Sequence, residues 1–187
     1  MIDFIATSTF GLEACVKREV IKLGFENVRT FDGRVEFTGD ESAIPKANLW
    51  LRCAGRVFVK MGEFKALSFE DLFQGTKALP WGDWIPVDGK FTVVGKSVKS
   101  TLHSVPDCQA IVKKAIVEKL KEKYEVDWFD ETGAEYTVQV ALLKDVATLT
   151  IDTSGSGLHK RGYRANALDA PLKETLAAAM VELSYWN

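Results

Sequence analysis

Apolar and polar residues alternate along this chain with two different periods, and each change of period marks a new element. Residues 3–7 (DFIAT) form a short apolar run of strand type. Leu12, Cys15, Val16, Val20 and Leu23 then recur at helical spacing, with Ser8 or Thr9 before them as a candidate cap and Gly24 after them as a stop. Residues 25–30 return to a strand pattern, Asp32-Gly33 signals a tight turn, and residues 34–38 (RVEFT) alternate as a third strand. Residues 42–51 read as a second helix, with Ala47, Leu49, Trp50 and Leu51 apolar, and residues 56–64 as a fourth strand. The order β-α-β-β-α-β is that of a ferredoxin-like unit, two helices on one face of an antiparallel sheet.

A second run of elements follows. Ser68 and Asp71 have capping-box spacing and open a helix that ends near Ala78. Trp81 and Trp84 sit among turn formers, where tryptophans more often cover the end of a sheet than stack on bases. Phe91, Val93 and Gly95 alternate with Thr92, Val94 and Lys96 as a strand. Ser104 then caps a long helix, with Pro106 and Asp107 in its first turn. Cys108, Ile111, Val112, Ala115, Ile116, Leu120 and Tyr124 make one face of this helix; Lys113, Lys114, Glu118, Lys121 and Glu122 make the other. Lys119 falls among the apolar positions, so its stem must lie along the core while its ammonium reaches out. Residues 135–143 and 146–152 are two strands joined at Lys144-Asp145, a two-residue hairpin without the favoured glycine. The whole is an α+β chain. A last helix is predicted over 169–183, with Asp169 as cap, Pro171 in the first turn, and Leu172, Leu176, Ala179, Met180 and Leu183 on one stripe.

Composition narrows the class. With 187 residues, 47% of them apolar, the chain can build one large core or two small ones. It holds no apolar run of about 18 residues and so no membrane span. The start shows no signal peptide. Cys15, Cys53 and Cys108 are odd in number and set among apolar residues, as reduced core cysteines of a cytoplasmic protein. Without CxxC or HExxH, and with only two histidines, no metal site is expected.

Charge adds the functional signal. The stretch 90–123 holds eight lysines against Asp107, Glu118 and Glu122, and 157–164 (GLHKRGYR) holds three cations and no acid. The whole chain carries −2, so these two stretches stand out from an acidic remainder. His103 and His159 are the only imidazoles, and no nucleophile, base or paired carboxylate set rises into a catalytic constellation. The pattern favours binding to phosphates: Lys96, Lys99, His103, Lys113 and Lys114 around one strand-turn-helix, and His159, Lys160, Arg161 and Arg164 around Gly162-Tyr163. Gly155-Ser156-Gly157 has only a fragment of a phosphate loop and reads as a turn.

Two motifs, GKSVKSTLHSVPDCQAIVKKAIVEKL and GLHKRGYRANALDAPLKETLAAAMV, resemble the N-terminal half of bacterial large-subunit (23S) ribosomal RNA guanine-N2-methyltransferases, which contain a THUMP domain. The resemblance covers essentially the whole chain. It implies a ferredoxin-like domain over 1–65, a THUMP RNA-binding domain over 66–155, and over 156–187 a basic linker and first helix leading into a Rossmann-like methyltransferase domain. It also implies structured RNA, 23S rRNA, as partner, and S-adenosylmethionine as the cofactor of the parent enzyme. The glycine-rich cofactor loop and the Asn/Asp-Pro-Pro-aromatic motif of that family are absent from this sequence. No cofactor and no catalysis are therefore expected of these residues alone, and the chain reads as cut before the methyltransferase domain. The stripe on the last helix would pack on that domain, fold back, or pair with a second copy as a dimer. Two other readings stand beside this one: a THUMP domain of a tRNA-modifying enzyme, and a ferredoxin-like regulator that senses a small molecule.

Overall fold

The computed structural model describes residues 1–162, 171–184 and 186. They form two compact units, one of residues 1–59 with the chain from 153 onward, the other of residues 60–152.

The first unit contains β1 (Ile2–Thr7), α1 (Glu13–Lys22), β2 (Glu26–Phe31), β3 (Arg34–Gly39), α2 (Ala43–Trp50) and the start of β4 (Val57–Lys65). β1 is central, antiparallel to β3 from Ile2↔Gly39 to Thr7↔Arg34 and to β4 from Phe4↔Val59 to Ala6↔Val57. With β2 outside β3, the order β2-β3-β1-β4 is the ferredoxin-like one that the element order predicts. Phe37 stacks on Phe4 and Phe25 with ring centroids 5.3 and 4.7 Å away. Gly39 lets α2 begin directly on β3, because a Cβ there would stand 2.7 Å from that of Ala43.

Local details depart from the sequence reading. The cap of α1 is Leu12, not Ser8 or Thr9, and it makes no side-chain bond. Ser8 and Thr9 lie in the turn before it, where Leu12 N–H donates to Thr9 O at 3.0 Å. The helix start is tied down instead by Glu13, whose carboxylate accepts from Gly33 N at 2.8 Å; that bond holds the carboxyl below its usual pKa. Glu19 of α1 is 5% exposed. Its Oε2 accepts from the backbone N–H groups of Arg52 and Cys53 at 3.1 and 3.0 Å, and its Oε1 lies 3.4 Å from Arg52 Nε. A buried carboxylate is tolerable only with such partners.

The second unit contains the rest of β4, α3 (Phe69–Lys77), a short 3-10 turn (Trp81–Asp83), β5 (Lys90–Val98), α4 (Val105–Tyr124), β6 (Glu135–Leu143) and β7 (Val146–Asp152). Strand order here is β4-β7-β6-β5. β6 and β7 form an antiparallel hairpin, while β5 runs parallel to β6 in register from Lys90↔Glu135 to Val98↔Leu143, with α4 as the crossover. The capping box of α3 forms as predicted, Asp71 N–H donating to Ser68 Oγ and Ser68 N–H to Asp71 Oδ2. Lys144 and Asp145 take φ of 50° and 64°, so a hairpin turn that favours glycine is made without one. Trp81 is fully buried, with Nε1 donating to Thr76 O at 2.7 Å. It covers the core, and stacking on a base is closed to it.

The last helix, α5 (Glu174–Leu183), belongs to the first unit and starts later than the pattern predicts. Lys173 is its cap, Pro171 lies in the lead-in, and Asp169 falls outside the described residues. Proline's fixed φ suits an extended lead-in as well as a first turn, so its position alone does not locate a helix start. Thr175 and Ala179 are the buried positions; Leu172, Met180 and Leu183 of the stripe remain exposed. Glu182 reaches α1, pairing with Arg18 Nε at 3.5 Å and Lys22 Nζ at 3.2 Å.

Candidate nucleic-acid interface

Alternation along β5 divides its side chains. Phe91, Val93, Gly95 and Ser97 turn towards α4, and Thr92, Val94, Lys96 and Val98 are exposed on the other face. Gly95 sets the distance between strand and helix: a Cβ there would meet Val105 Cγ1 and Gln109 Cγ at 3.1 Å. Gln109 Nε2 adds a hydrogen bond to Val93 O at 3.0 Å.

The loop that joins β5 to α4 is held at nearly every residue. Ser97 Oγ donates to Leu102 O at 2.7 Å, and Ser100 Oγ to Val98 O at 3.1 Å. Thr101 N–H donates to Asp145 Oδ1 at 2.6 Å, Asp145 N–H to Ser100 Oγ at 3.0 Å, and Lys144 N–H to Val98 O at 3.2 Å. The β6–β7 turn thus clamps the loop. Lys99 sits in it at φ 50°, exposed, and His103 is exposed with Nδ1 3.1 Å from Thr101 O. Ser104 is the cap of α4 as predicted, but its side chain makes no capping bond. Lys96, Lys99 and His103 therefore share one end of the unit with the uncapped start of a 20-residue helix.

Lys113 and Lys114 do not join them. They lie eight and nine residues along α4 from Val105, about 12 Å down its axis. Lys113 Nζ stands over the Phe91 ring at 5.6 Å; Lys114 Nζ stands over Phe73 at 5.6 Å and lies 4.0 Å from Glu118. Much of the lysine excess is also neutralised by folding: Lys90 pairs with Glu135 at 2.8 Å and Lys123 with Asp83 at 2.7 Å. Among the described residues, Lys96 and Lys99 have no ion-pair partner.

The second basic segment, in the first unit, is stitched to α2 and β4. Thr153 N–H and Oγ1 both donate to Val57 O, at 3.0 and 2.8 Å, and Asn48 Nδ2 donates to Thr153 Oγ1 at 2.9 Å. Ser154 Oγ donates to Asn48 Oδ1 at 2.7 Å. Arg56 Nη1 donates to Gly155 O at 2.7 Å, and Leu158 N–H to Gly55 O at 2.9 Å. Gly157 is packed against the His159 ring, 2.7 Å from where its Cβ would be, and with Ser154, Ser156, Lys160 and Arg161 it lines a cavity of about 460 Å³.

Arg161 has a use that the sequence does not reveal. Its Nε donates to Leu158 O at 2.9 Å, its Nη1 to Leu49 O at 2.6 Å, and its Nη2 to Leu51 O. The guanidinium closes the C-terminus of α2, satisfying carbonyls that a helix end leaves over. A phosphate would have to compete with all three. Lys160 is exposed and His159 half-buried, facing Pro171, Leu172 and Lys173 across a cavity of about 510 Å³. Arg164 and Tyr163, also expected here, lie outside the described residues.

The three thiols are buried; burial foremost, then the Glu19 carboxylate, pushes Cys53 up to about 12, and burial raises Cys108. Among the described residues no group of His, Cys, Asp and Glu is placed to hold a metal ion, and no helix is long and apolar enough to cross a membrane.

Comparison with known proteins assigns both units. Residues 3–58 match the RlmL ferredoxin-like domain, and residues 66–152 match the THUMP domain. The chain is 58% identical over 185 residues to the putative RNA methyltransferase YpsC of Bacillus subtilis, 98% of this chain and 48% of that protein. It is 34% identical over 188 residues to the ribosomal RNA large subunit methyltransferase K/L of Psychromonas ingrahamii, all of this chain and 25% of that protein. Among solved structures, SMU.472, a putative methyltransferase complexed with SAH, superposes with a TM-score of 0.93 at 44% identity, over 99% of this chain and 49% of that one. The chain thus spans half or less of the length of these relatives. It belongs with the proteins that join an RlmL ferredoxin-like domain to a THUMP domain, and it is homologous to the ribosomal RNA large subunit methyltransferases K/L.

Proposed function

We propose that this chain is the RNA-docking portion of an S-adenosylmethionine-dependent methyltransferase that modifies the N2 of guanine in large-subunit ribosomal RNA. In this reading residues 1–65 are a ferredoxin-like domain, 66–155 the THUMP domain, and 156–187 a basic connection towards a catalytic domain. Cofactor binding and methyl transfer belong to the part of the relatives that this chain does not align with, and the exposed side chains of α5 are a surface for that part. The protein works in the cytoplasm.

The clamped loop carries the proposal. Lys96, Lys99 and His103 stand at one end of the THUMP domain, the two lysines free of acidic partners among the described residues, on a backbone that hydrogen bonds hold fixed. Ordering a lysine-bearing loop in advance lowers the entropy that binding must overcome. Lys113 and Lys114 extend the contact along α4; in the first unit His159 and Lys160 are a second set of candidate phosphate ligands, on a segment that Arg161 holds to α2.

The test is a filter-binding series with a structured 23S rRNA fragment, a tRNA transcript and duplex DNA. With three to five phosphates neutralised, tripling the salt should weaken RNA binding by about tenfold or more. Lys96→Glu with Lys99→Glu should weaken it further, while Lys17→Glu on α1 should not. Equal losses from both substitutions would leave only general electrostatics and defeat the assignment. Preference for the tRNA transcript would defeat the ribosomal part alone.

A further inference from the structure

The parallel pairing of β5 with β6 separates charge along the THUMP domain. Lys96, Lys99 and His103 lie at the C-terminal end of β5; the segment 125–134, which enters β6, lies at the other, about 26 Å away for a nine-residue strand. That segment begins EVDWFDE: four carboxylates, Glu125, Asp127, Asp130 and Glu131, and no cation. At its centre Trp128 is 81% exposed.

The segment is anchored at both ends. Tyr124 OH donates to Ile85 O at 2.8 Å and Gly82 O at 3.1 Å, and Glu125 ends α4 in a left-handed turn at φ 53°. On the far side Gly133 N–H donates to Asp88 O at 2.7 Å, and Lys90 N–H to Ala134 O at 3.0 Å. Gly133 lies so close that a Cβ there would stand 2.7 Å from the Asp88 carboxylate, which adds a fifth acid to this end. Trp128 is therefore presented on a loop pinned at both ends, in a stretch rich in carboxylates.

The five acids outnumber Lys90, Lys121 and Lys123 at this end, and two of those lysines are already paired with Glu135 and Asp83, so phosphates are disfavoured here. A large exposed indole is also the side chain that most often anchors protein interfaces. We infer that the 125–134 segment is a docking element for a basic protein surface, with Trp128 as the apolar anchor and the carboxylates selecting lysine- and arginine-rich partners. The inference rests on the RNA-docking reading above for where such a partner is met. A ribosomal particle carries basic proteins beside its RNA, so one end of the domain would hold RNA while the other holds protein.

The experiment compares the full chain binding to purified large ribosomal subunits and to protein-free 23S rRNA, both by sedimentation. Trp128→Ala should weaken particle binding by about tenfold and leave protein-free RNA unaffected, with Trp128→Phe recovering most of the loss; separately, Asp127→Lys with Asp130→Lys should weaken particle binding without weakening binding to protein-free RNA. Lys96→Glu with Lys99→Glu should weaken both. Particle binding that Trp128→Ala does not change overturns the docking inference, and so does an equal loss on naked RNA. A self-association of the chain that Trp128→Ala abolishes would assign the segment to a second copy and overturn it as well. Failure of the Lys96/Lys99 variant to affect either ligand strikes at the RNA reading alone, because the difference between particle and naked RNA still reports on Trp128.

Discussion

Replacing Arg161 by alanine separates its two assignments, phosphate ligand by sequence and helix clamp by structure. Three carbonyls, those of Leu158, Leu49 and Leu51, lose a charged donor in the variant. A hydrogen bond from a charged group is worth about 1.5–3 kcal/mol net, and a carbonyl left without a partner costs a comparable amount. Water can reach the Leu49 bond, which is exposed, so the two part-buried bonds dominate. The expected loss is about 3 kcal/mol. In a chain of this size that corresponds to a fall in Tm of about 6–12 °C. Thermal melts and urea titration of Arg161→Ala would measure it, with Lys160→Ala as the control that should melt as wild type. Arg161→Lys should fall between, since an ammonium cannot span carbonyls on both sides of the α2 terminus. A Tm within about 1 °C of wild type, together with lost RNA affinity, would refute the clamp and restore the phosphate assignment.

Other perturbations probe the rest of the frame. Gly75→Ala in α3 would ordinarily favour a helix, but here a Cβ would stand 2.3–2.7 Å from the Phe64 ring, so a loss of about 1–3 kcal/mol is expected in urea titration. Glu19→Ala should cost about 2–4 kcal/mol by stranding the N–H groups of Arg52 and Cys53. It should also lower the Cys53 pKa from about 12, though not to that of a free thiol, because burial is the larger cause; a thiol titration reads this. Asp71 is held below the ordinary carboxyl pKa by the Ser68 hydroxyl and the N–H groups of Leu67 and Ser68. Its stabilisation is complete above the unfolded value and disappears as pH falls through the depressed folded one, and Ser68→Ala should raise that pKa in an NMR titration. At the β6–β7 turn, Lys144→Asn should raise the Tm slightly by suiting a positive φ, whereas Asp145→Ala should lower it and loosen the 99–104 loop by removing the acceptor for Thr101 N–H.

Element order, the capping box at Ser68, the hairpin at Lys144-Asp145 and the buried face of α4 were all legible from the residues alone. Each follows from interactions within a few positions: a helical or alternating period, a cap three residues from its partner, a turn of two. The same locality explains the errors. The cap of α1 and the start of α5 are not legible because several residues in each lead-in could serve, and in α1 the choice belongs to Glu13 reaching Gly33. Charge was legible as an amount but not as an arrangement.

The sequence by itself determined which segments are strands and helices, which faces they bury, and where cations concentrate. Tertiary structure decided what those charges are for. It gave Arg161 to carbonyls more than a hundred residues away in the chain, and Lys90 and Lys123 to acids 45 and 40 positions distant. Among the described residues it left Lys96 and Lys99 without such partners, and the parallel register of β5 with β6 set them at the opposite end from Trp128 and its acids. The period of a pattern is governed by neighbours along the chain, whereas a long charged side chain takes whatever partner the packed fold brings within its reach.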